Sequence, residues 1–175
     1  MYICVYMDEV FKILDLTEIF IVADIGCGLG DYTVEFARQI GEKGTVYAVD
    51  VDKENIEYTK RKVEEKNLDG RIKFVQAGTD KSNLPQDTID FAFSRNSYHH
   101  IQDPVQYFST VLNAMKPGAS LVLIDHDSTK NHNGPVGHAV HPDDINKNLQ
   151  KAGFTFKERY NHLPGQSFQV FQKDR

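Results

Sequence analysis

Three glycines at alternating positions, Gly26, Gly28 and Gly30, separate the apolar run Val22-Ala23-Asp24-Ile25 from the helix-patterned run Tyr32-Thr33-Val34-Glu35-Phe36-Ala37. Glycines so spaced let the backbone turn sharply and keep side chains out of a ligand's way. The helix that follows aims its first N–H groups, and the positive end of its dipole, at whatever sits in the turn. This suits a nucleoside-bearing ligand with an anionic group. The spacing narrows the choice. A dinucleotide fingerprint reads G-x-G-x-x-G after a strand. Counted from Gly26, its third glycine would fall at residue 31, which is Asp31; here the third glycine comes one place earlier. Cys27, inside the turn, is small enough to fit there.

Acids and histidines supply the other candidate chemistry. Asp50 closes the strand-like run Val46-Tyr47-Ala48-Val49, about twenty residues after the turn. An acid in that position can accept both hydroxyls of a ribose, in a nicotinamide dinucleotide as well as in other nucleosides. Asp52 reads as the cap of the next helix. His99 and His100 lie in the segment Ser94-Arg95-Asn96-Ser97-Tyr98-His99-His100-Ile101-Gln102-Asp103-Pro104, and Asp125-His126-Asp127 ends a later strand. Imidazole titrates near working pH, so His99, His100 and His126 are candidate general bases. The plainer alternative is that one of the pair packs at the start of the following helix. With His132, His138 and His141, the C-terminal third is rich in histidine. Histidine and aspartate suit a divalent ion, but the spacings match no familiar zinc motif, and no metal site is expected. His126, His138 and His141 are instead expected to line an acceptor pocket, with His141-Pro142-Asp143-Asp144 also starting a helix.

The Asp24-to-Gly30 segment resembles motif I of the class I S-adenosylmethionine-dependent methyltransferases. The resemblance continues through Val46–Asp50, through Ala77-Gly78-Thr79-Asp80-Lys81-Ser82-Asn83-Leu84-Pro85, through Thr88–Ser94, through the Tyr98-His99-His100 loop and through Met115-Lys116-Pro117-Gly118-Ala119-Ser120-Leu121. Within that family the chain resembles the broad type 11 small-molecule group. The resemblance implies an α/β fold: a Rossmann-like, doubly wound, seven-stranded, mostly parallel sheet with a C-terminal antiparallel hairpin. It implies S-adenosylmethionine as cofactor, held by Asp24, Gly26, Cys27, Gly28, Gly30, Tyr32, Asp50, Val51, Thr79, Asp80 and Asn96. Asp50 would take the ribose, Asp80 the adenine amino group, Val51 and Thr79 the base, and Asp24 and Asn96 the methionine end. Arg95 is unusual in its place and would pair with a carboxylate. Metal-using relatives carry an acid after the fourth strand, where this chain has Asn96. The implied activity is methyl transfer to a small molecule, an in-line displacement that needs alignment and exclusion of water more than a catalytic side chain. A cofactor-binding domain that is inactive or depends on a partner is the alternative; a nicotinamide-dependent oxidoreductase is disfavoured by Asp31.

These residues need a scaffold, and the chain supplies one. Apolar strand-like segments at about 21–25, 45–50, 71–76, 88–93 and 119–125 alternate with helical ones, the longest near 53–66, as in a parallel sheet covered on both faces. Val10, Phe11, Ile13 and Leu14 pattern as a short helix ahead of the first strand. The tail alternates as two strands, 154–160 and 167–171, around Leu163-Pro164-Gly165. Gly70, Gly118 and Gly153 are expected as left-handed helix caps. The 175 residues read as one domain, 1–175. About 20 residues before the first strand imply a reduced N-terminal cap over the cofactor, with Asp127–Val140 or a homodimer partner as the substitute cover. The first residues are too short and too poor in basic residues for a signal peptide, and Met7 is a second candidate start. Net charge is −5, and the basic run Lys60-Arg61-Lys62 sits among glutamates, as on a solvated helix face. This balance weighs against nucleic acid as a substrate. No apolar run reaches membrane-span length. Cys4 and Cys27 do not make a disulfide framework, which suits free thiols in a reducing cytoplasm.

Overall fold

The computed structural model describes residues 21–130 and 137–175. The helix expected around Val10–Leu14, the reduced cap, the choice between Met1 and Met7, Cys4 and His132 all lie outside the described residues.

Seven strands form one sheet: β1 (Ile21–Ile25), β2 (Thr45–Asp50), β3 (Ile72–Gln76), β4 (Ile89–Arg95), β5 (Met115–His126), β6 (Thr155–Tyr160) and β7 (Gln166–Gln172). Their spatial order is β3-β2-β1-β4-β5-β7-β6. The first five run parallel, and β7 pairs antiparallel with both β5 and β6. The order reverses between β1 and β4, and a crevice opens there at the carboxyl ends of the strands, where open α/β sheets bind ligands.

Among the described residues, four α-helices cover the sheet: α1 (Asp31–Gln39), α2 (Lys53–Glu64), α3 (Pro104–Ala114) and α4 (Pro142–Lys151). Each buries one stripe at helical spacing. Val34, Phe36 and Ala37 of α1 join Ile56 and Val63 of α2 in the core on one face. Tyr107, Phe108 and Val111 of α3 join Ile145 and Leu149 of α4 on the other. Central strands buried on both faces read as continuous apolar runs. The caps follow from sequence. Asp52 accepts a hydrogen bond from Glu54 N at 2.8 Å and starts α2, as expected. His141 caps α4 and Pro142 occupies its first turn.

Three expectations need correction. Gly70 does not cap α2; Asn67, at φ +55°, takes the left-handed conformation just past that helix, because asparagine tolerates the region and comes earlier in the chain. Gly118 is left-handed at φ +82° but lies within β5, not at a helix end. There it gives β5 an irregular start, with a register shift against β4 between Ile89 and Phe91. Lys62 is not merely part of a solvated face. Its ammonium donates to the Leu29 carbonyl at 2.9 Å and pairs with Asp31, tying α2 to the glycine turn. Lys60 does pair as expected, with Glu57 at 3.0 Å. Among the described residues, no helix is long and apolar enough to cross a membrane.

Candidate functional site

The glycine turn is built differently at each glycine. Gly26, at φ +72°, packs so tightly that an added Cβ would lie 2.4 Å from Ser97 Cβ. Gly30, at φ +74°, leaves 2.5 Å to Thr59 Cγ2. Gly28, at φ +51°, has open space where a side chain would be. Two glycines thus let neighbouring elements close on the turn, and the middle one leaves room for a ligand. The turn is also pinned by its neighbours. Gly26 N and Cys27 N donate to the Val49 carbonyl at 2.8 and 3.0 Å, and Thr59 Oγ1 donates to the Gly28 carbonyl at 2.9 Å.

Asp50 is largely buried at the end of β2. Its carboxylate accepts from Gly28 N at 2.8 Å and from Asp52 N at 2.9 Å. It therefore fixes the turn while facing a cleft of about 390 Å³, a volume usual for small-molecule sites. Val51 and Thr79 line this cleft along with Asn96, Ser97 and His100. Val51 stays exposed, offering an apolar face at the rim. Asp80 is exposed beside that rim and is not among the lining residues.

A second cleft shares Gly26, Gly28 and Asn96 with the first and adds Asp24, Cys27, Asp31, Tyr32 and Arg95. Asp24 is 2% exposed and accepts from Thr33 Oγ1 at 2.6 Å. Burial, reinforced by the nearby Asp50 charge, pushes its carboxyl up to about 7. An acid so placed gains from a cationic neighbour. Burial first, then Asp24 and Asp50, pushes the Cys27 thiol up, so it behaves as a small packing residue; it is unpaired. Arg95 donates to the Tyr32 hydroxyl and to Gln166 Oε1 at 3.0 Å. Its Nε is buried with no hydrogen-bond partner, while the side chain lines the second cleft. Gln166 also donates to Asn96 Oδ1 at 2.6 Å.

The histidines gather at the other end of the crevice. His99 sits in a short 3₁₀ turn, Tyr98–His100, after β4. Its ring is 5% exposed, with Nδ1 2.7 Å from Asp125 Oδ1, and its backbone N–H donates to Asp125 Oδ2 at 3.2 Å. The His99 ring centroid lies 4.0 Å from that of His100, 4.8 Å from that of His138 and 5.8 Å from that of His126. His100, exposed at the cleft mouth, is held below the usual imidazole range by desolvation and by its histidine neighbours. Val140 pairs back to Asp127 at the strand end, and this bridge brings His138 into the group. His141 is committed to capping α4, its Nδ1 accepting from Asp143 N at 3.2 Å.

The structure thus brings together Asp24, Gly26, Cys27, Gly28, Tyr32, Asp50, Val51, Thr79 and Asn96 around the two clefts. Gly30 supports the turn from behind. Sequence reasoning missed Gln166, which reaches in from the C-terminal hairpin, and Ser97, whose Oγ donates to the Ile25 carbonyl at 3.2 Å. Neither carries a local signal.

Comparison with known proteins agrees with this geometry. A family model described as "Methyltransferase domain" matches residues 18–163. The ubiquinone/menaquinone biosynthesis C-methyltransferase UbiE of Marinomonas sp. (strain MWYL1) is 29% identical over 104 residues, 59% of this chain and 41% of that protein. UbiE of Stutzerimonas stutzeri (strain A1501) is 28% identical over 113 residues, 63% of this chain and 43% of that protein. The chain therefore spans about two fifths of the length of these curated relatives. A crystal structure of a SAM-dependent methyltransferase from Aquifex aeolicus superimposes with a TM-score of 0.86 at 27% identity, covering 94% of this chain and 88% of the other. The [4+2]-cyclase SpnF shares the fold, with a TM-score of 0.80 at 16% identity over 95% of this chain and 80% of its own.

Proposed function

The chain belongs to the methyltransferase-domain family matched over residues 18–163, and from that premise we propose that it binds S-adenosylmethionine across the two joined clefts and methylates a small-molecule acceptor. The cofactor supplies an electrophilic methyl group on a sulfonium. The residues present fit it. Asp50 faces the first cleft as a ribose acceptor, with Val51 and Thr79 along the base and Asp80 near the rim for the adenine amino group. In the second cleft, Asp24 suits the ammonium group. The guanidinium of Arg95, which lines this cleft, suits the carboxylate, and Gln166 holds both Arg95 and Asn96 in place. An acid and a guanidinium lining one small cleft, Asp24 and Arg95, are the observation that carries the reading: they suit the two charged groups of one zwitterion. Asp31, salt-bridged to Lys62, and the open space at Gly28 complete the cradle.

The acceptor would enter at the histidine end. His99, His100 and His126 stand there, His99 oriented by Asp125, so an acceptor that must lose a proton finds imidazoles beside it. An acceptor already nucleophilic needs only alignment and a dry site. The acidic net charge favours a small molecule over nucleic acid, and an unpaired Cys27 suits a reducing cytoplasm.

Isothermal titration with S-adenosylmethionine and S-adenosylhomocysteine tests the cofactor. The expected result is micromolar binding of both, lost in Asp50→Ala. A folded protein that binds neither would overturn the reading. Methyl transfer from labelled cofactor to a panel of phenolic, quinol and amine acceptors then tests the activity.

A further inference from the structure

His99, His100 and His138 each present a ring nitrogen, and these three atoms lie within 4.8 Å of one another. They come from two segments 38 residues apart, the turn after β4 and the return of the β5–α4 loop. One imidazole is enough for a proton acceptor; three converging on one point are the donor set of a cation site.

The surroundings of His99 strengthen this. Asp125 is completely buried and takes both the Nδ1 edge and the backbone N–H of His99. A carboxylate on Nδ1 fixes the ring and its tautomer, so that Nε2 carries the free lone pair. Metal-bound histidines commonly have this outer partner, which also raises their basicity. Three imidazole nitrogens at ~2.0–2.1 Å from a tetrahedral ion lie ~3.3 Å apart. The observed 4.8 Å limit exceeds that by a distance that rotation of the exposed His100 and the half-buried His138 can cover. His99, locked by Asp125, need not move.

We propose that His99, His100 and His138 form a three-histidine site for a divalent ion of the zinc class, oriented by Asp125. Imidazole donors without carboxylate select zinc, copper, nickel or cobalt over magnesium and calcium. Three protein ligands leave a fourth position open, as in sites that bind water or a substrate oxygen. His100 also lines the nucleoside cleft, so the open position faces the acceptor end. There the ion would hold an oxygen of the acceptor and favour its deprotonated form. Ion binding itself does not depend on the methyltransferase reading.

The test uses untagged full-length protein stripped with chelator. Zn²⁺ is titrated in competition with a chromophoric chelator, and Co²⁺ is followed by visible absorption. One equivalent of each is expected, with Co²⁺ showing the intense bands of low coordination number and Mg²⁺ failing to compete. His100→Ala and His138→Ala should each weaken Zn²⁺ by at least ~100-fold, and Asp125→Asn by ~10- to 100-fold. His162→Ala, outside the cluster, should change nothing. Absence of stoichiometric binding would overturn the proposal, as would affinity within twofold of wild type in His138→Ala, or an equal loss in His162→Ala. S-adenosylmethionine titration of the stripped protein keeps the two readings separate: cofactor binding without metal binding sinks only the site, and the reverse sinks only the cofactor.

Discussion

The two ends of the crevice are built on opposite plans. The nucleoside end is made of backbone: a turn of glycines pinned by Val49, Thr59 and Asp50, with its elements contiguous in sequence from β1 to α2. The histidine end is made of side chains from separate segments, gathered by one buried carboxylate, Asp125. A backbone site is rigid and limited to one kind of ligand. A side-chain site can be retuned by one substitution without disturbing the sheet. Under the proposed function the acceptor end is the one that must vary, and this division of labour suits that need.

The comparison can be broken most severely at Asp50. Asp50→Ala removes both the ligand's acceptor and the restraint on Gly28, so cofactor affinity should fall by at least ~100-fold, read by calorimetry with circular dichroism to confirm folding. Asp125→Asn, by contrast, should leave cofactor affinity within about threefold, because Asp125 is not part of either cleft lining. A large loss there would show the two ends to be one.

The glycines sharpen the same contrast in stability. Gly26→Ala forces a Cβ into Ser97 as well as a left-handed backbone, and should cost about 2–4 kcal/mol in urea unfolding. Gly28→Ala meets open space and should cost only the backbone strain, about 1–2 kcal/mol, while weakening the cofactor more than its stability loss accounts for. Equal costs would mean that the packing at Ser97 is soft.

Smaller effects test the charges. Arg95→Lys keeps the charge but loses the planar fork that Tyr32 and Gln166 hold, and should weaken the cofactor ~10-fold. Binding should also depend on pH through Asp24. Its carboxyl titrates near 7 without ligand, and a bound ammonium group favours the ionised form, so binding expels the proton. Affinity should thus rise with pH, about twofold from pH 7 to 8 and approaching tenfold per unit below 7. Asp24→Asn should flatten the profile. A profile that stays steep in Asp24→Asn would assign the titration to another group.

Most of the fold was legible because its signals are local. The apolar runs at 21–25 and 45–50 match β1 and β2, and the glycine turn with its following helix falls where the spacing puts it. The nucleoside end was legible for the same reason, since each part sits within a few residues of a strand end. Gln166 and Ser97 were not, since each acts across 70 or more residues. The histidine cluster was hidden likewise: each histidine was visible, but a motif search reads spacing along the chain, and β5 with its bridge to Val140 sets the spacing in space. Asn67 displaced Gly70 because two residues competed for one conformation, and Lys62 turned to the glycine turn because Asp31 and the Leu29 carbonyl face it.

One register pairing has a wider consequence. Along the β5–β7 ladder, His126 lies opposite Gln166, and Asp125 lies opposite Ser167. Neighbouring rungs point to opposite faces: Gln166 toward Arg95 and Asn96, Asp125 toward His99. The β5–β7 ladder is therefore a shared ruler. A one-residue slip of β7 along β5 would turn Gln166 away from Arg95 and Asn96. Ser167 would move off Asp125 in the same step. Point substitutions can retune either end of the crevice alone, but a slip of this ladder changes what stands beside both Asp125 and His126 at the end of β5 at once.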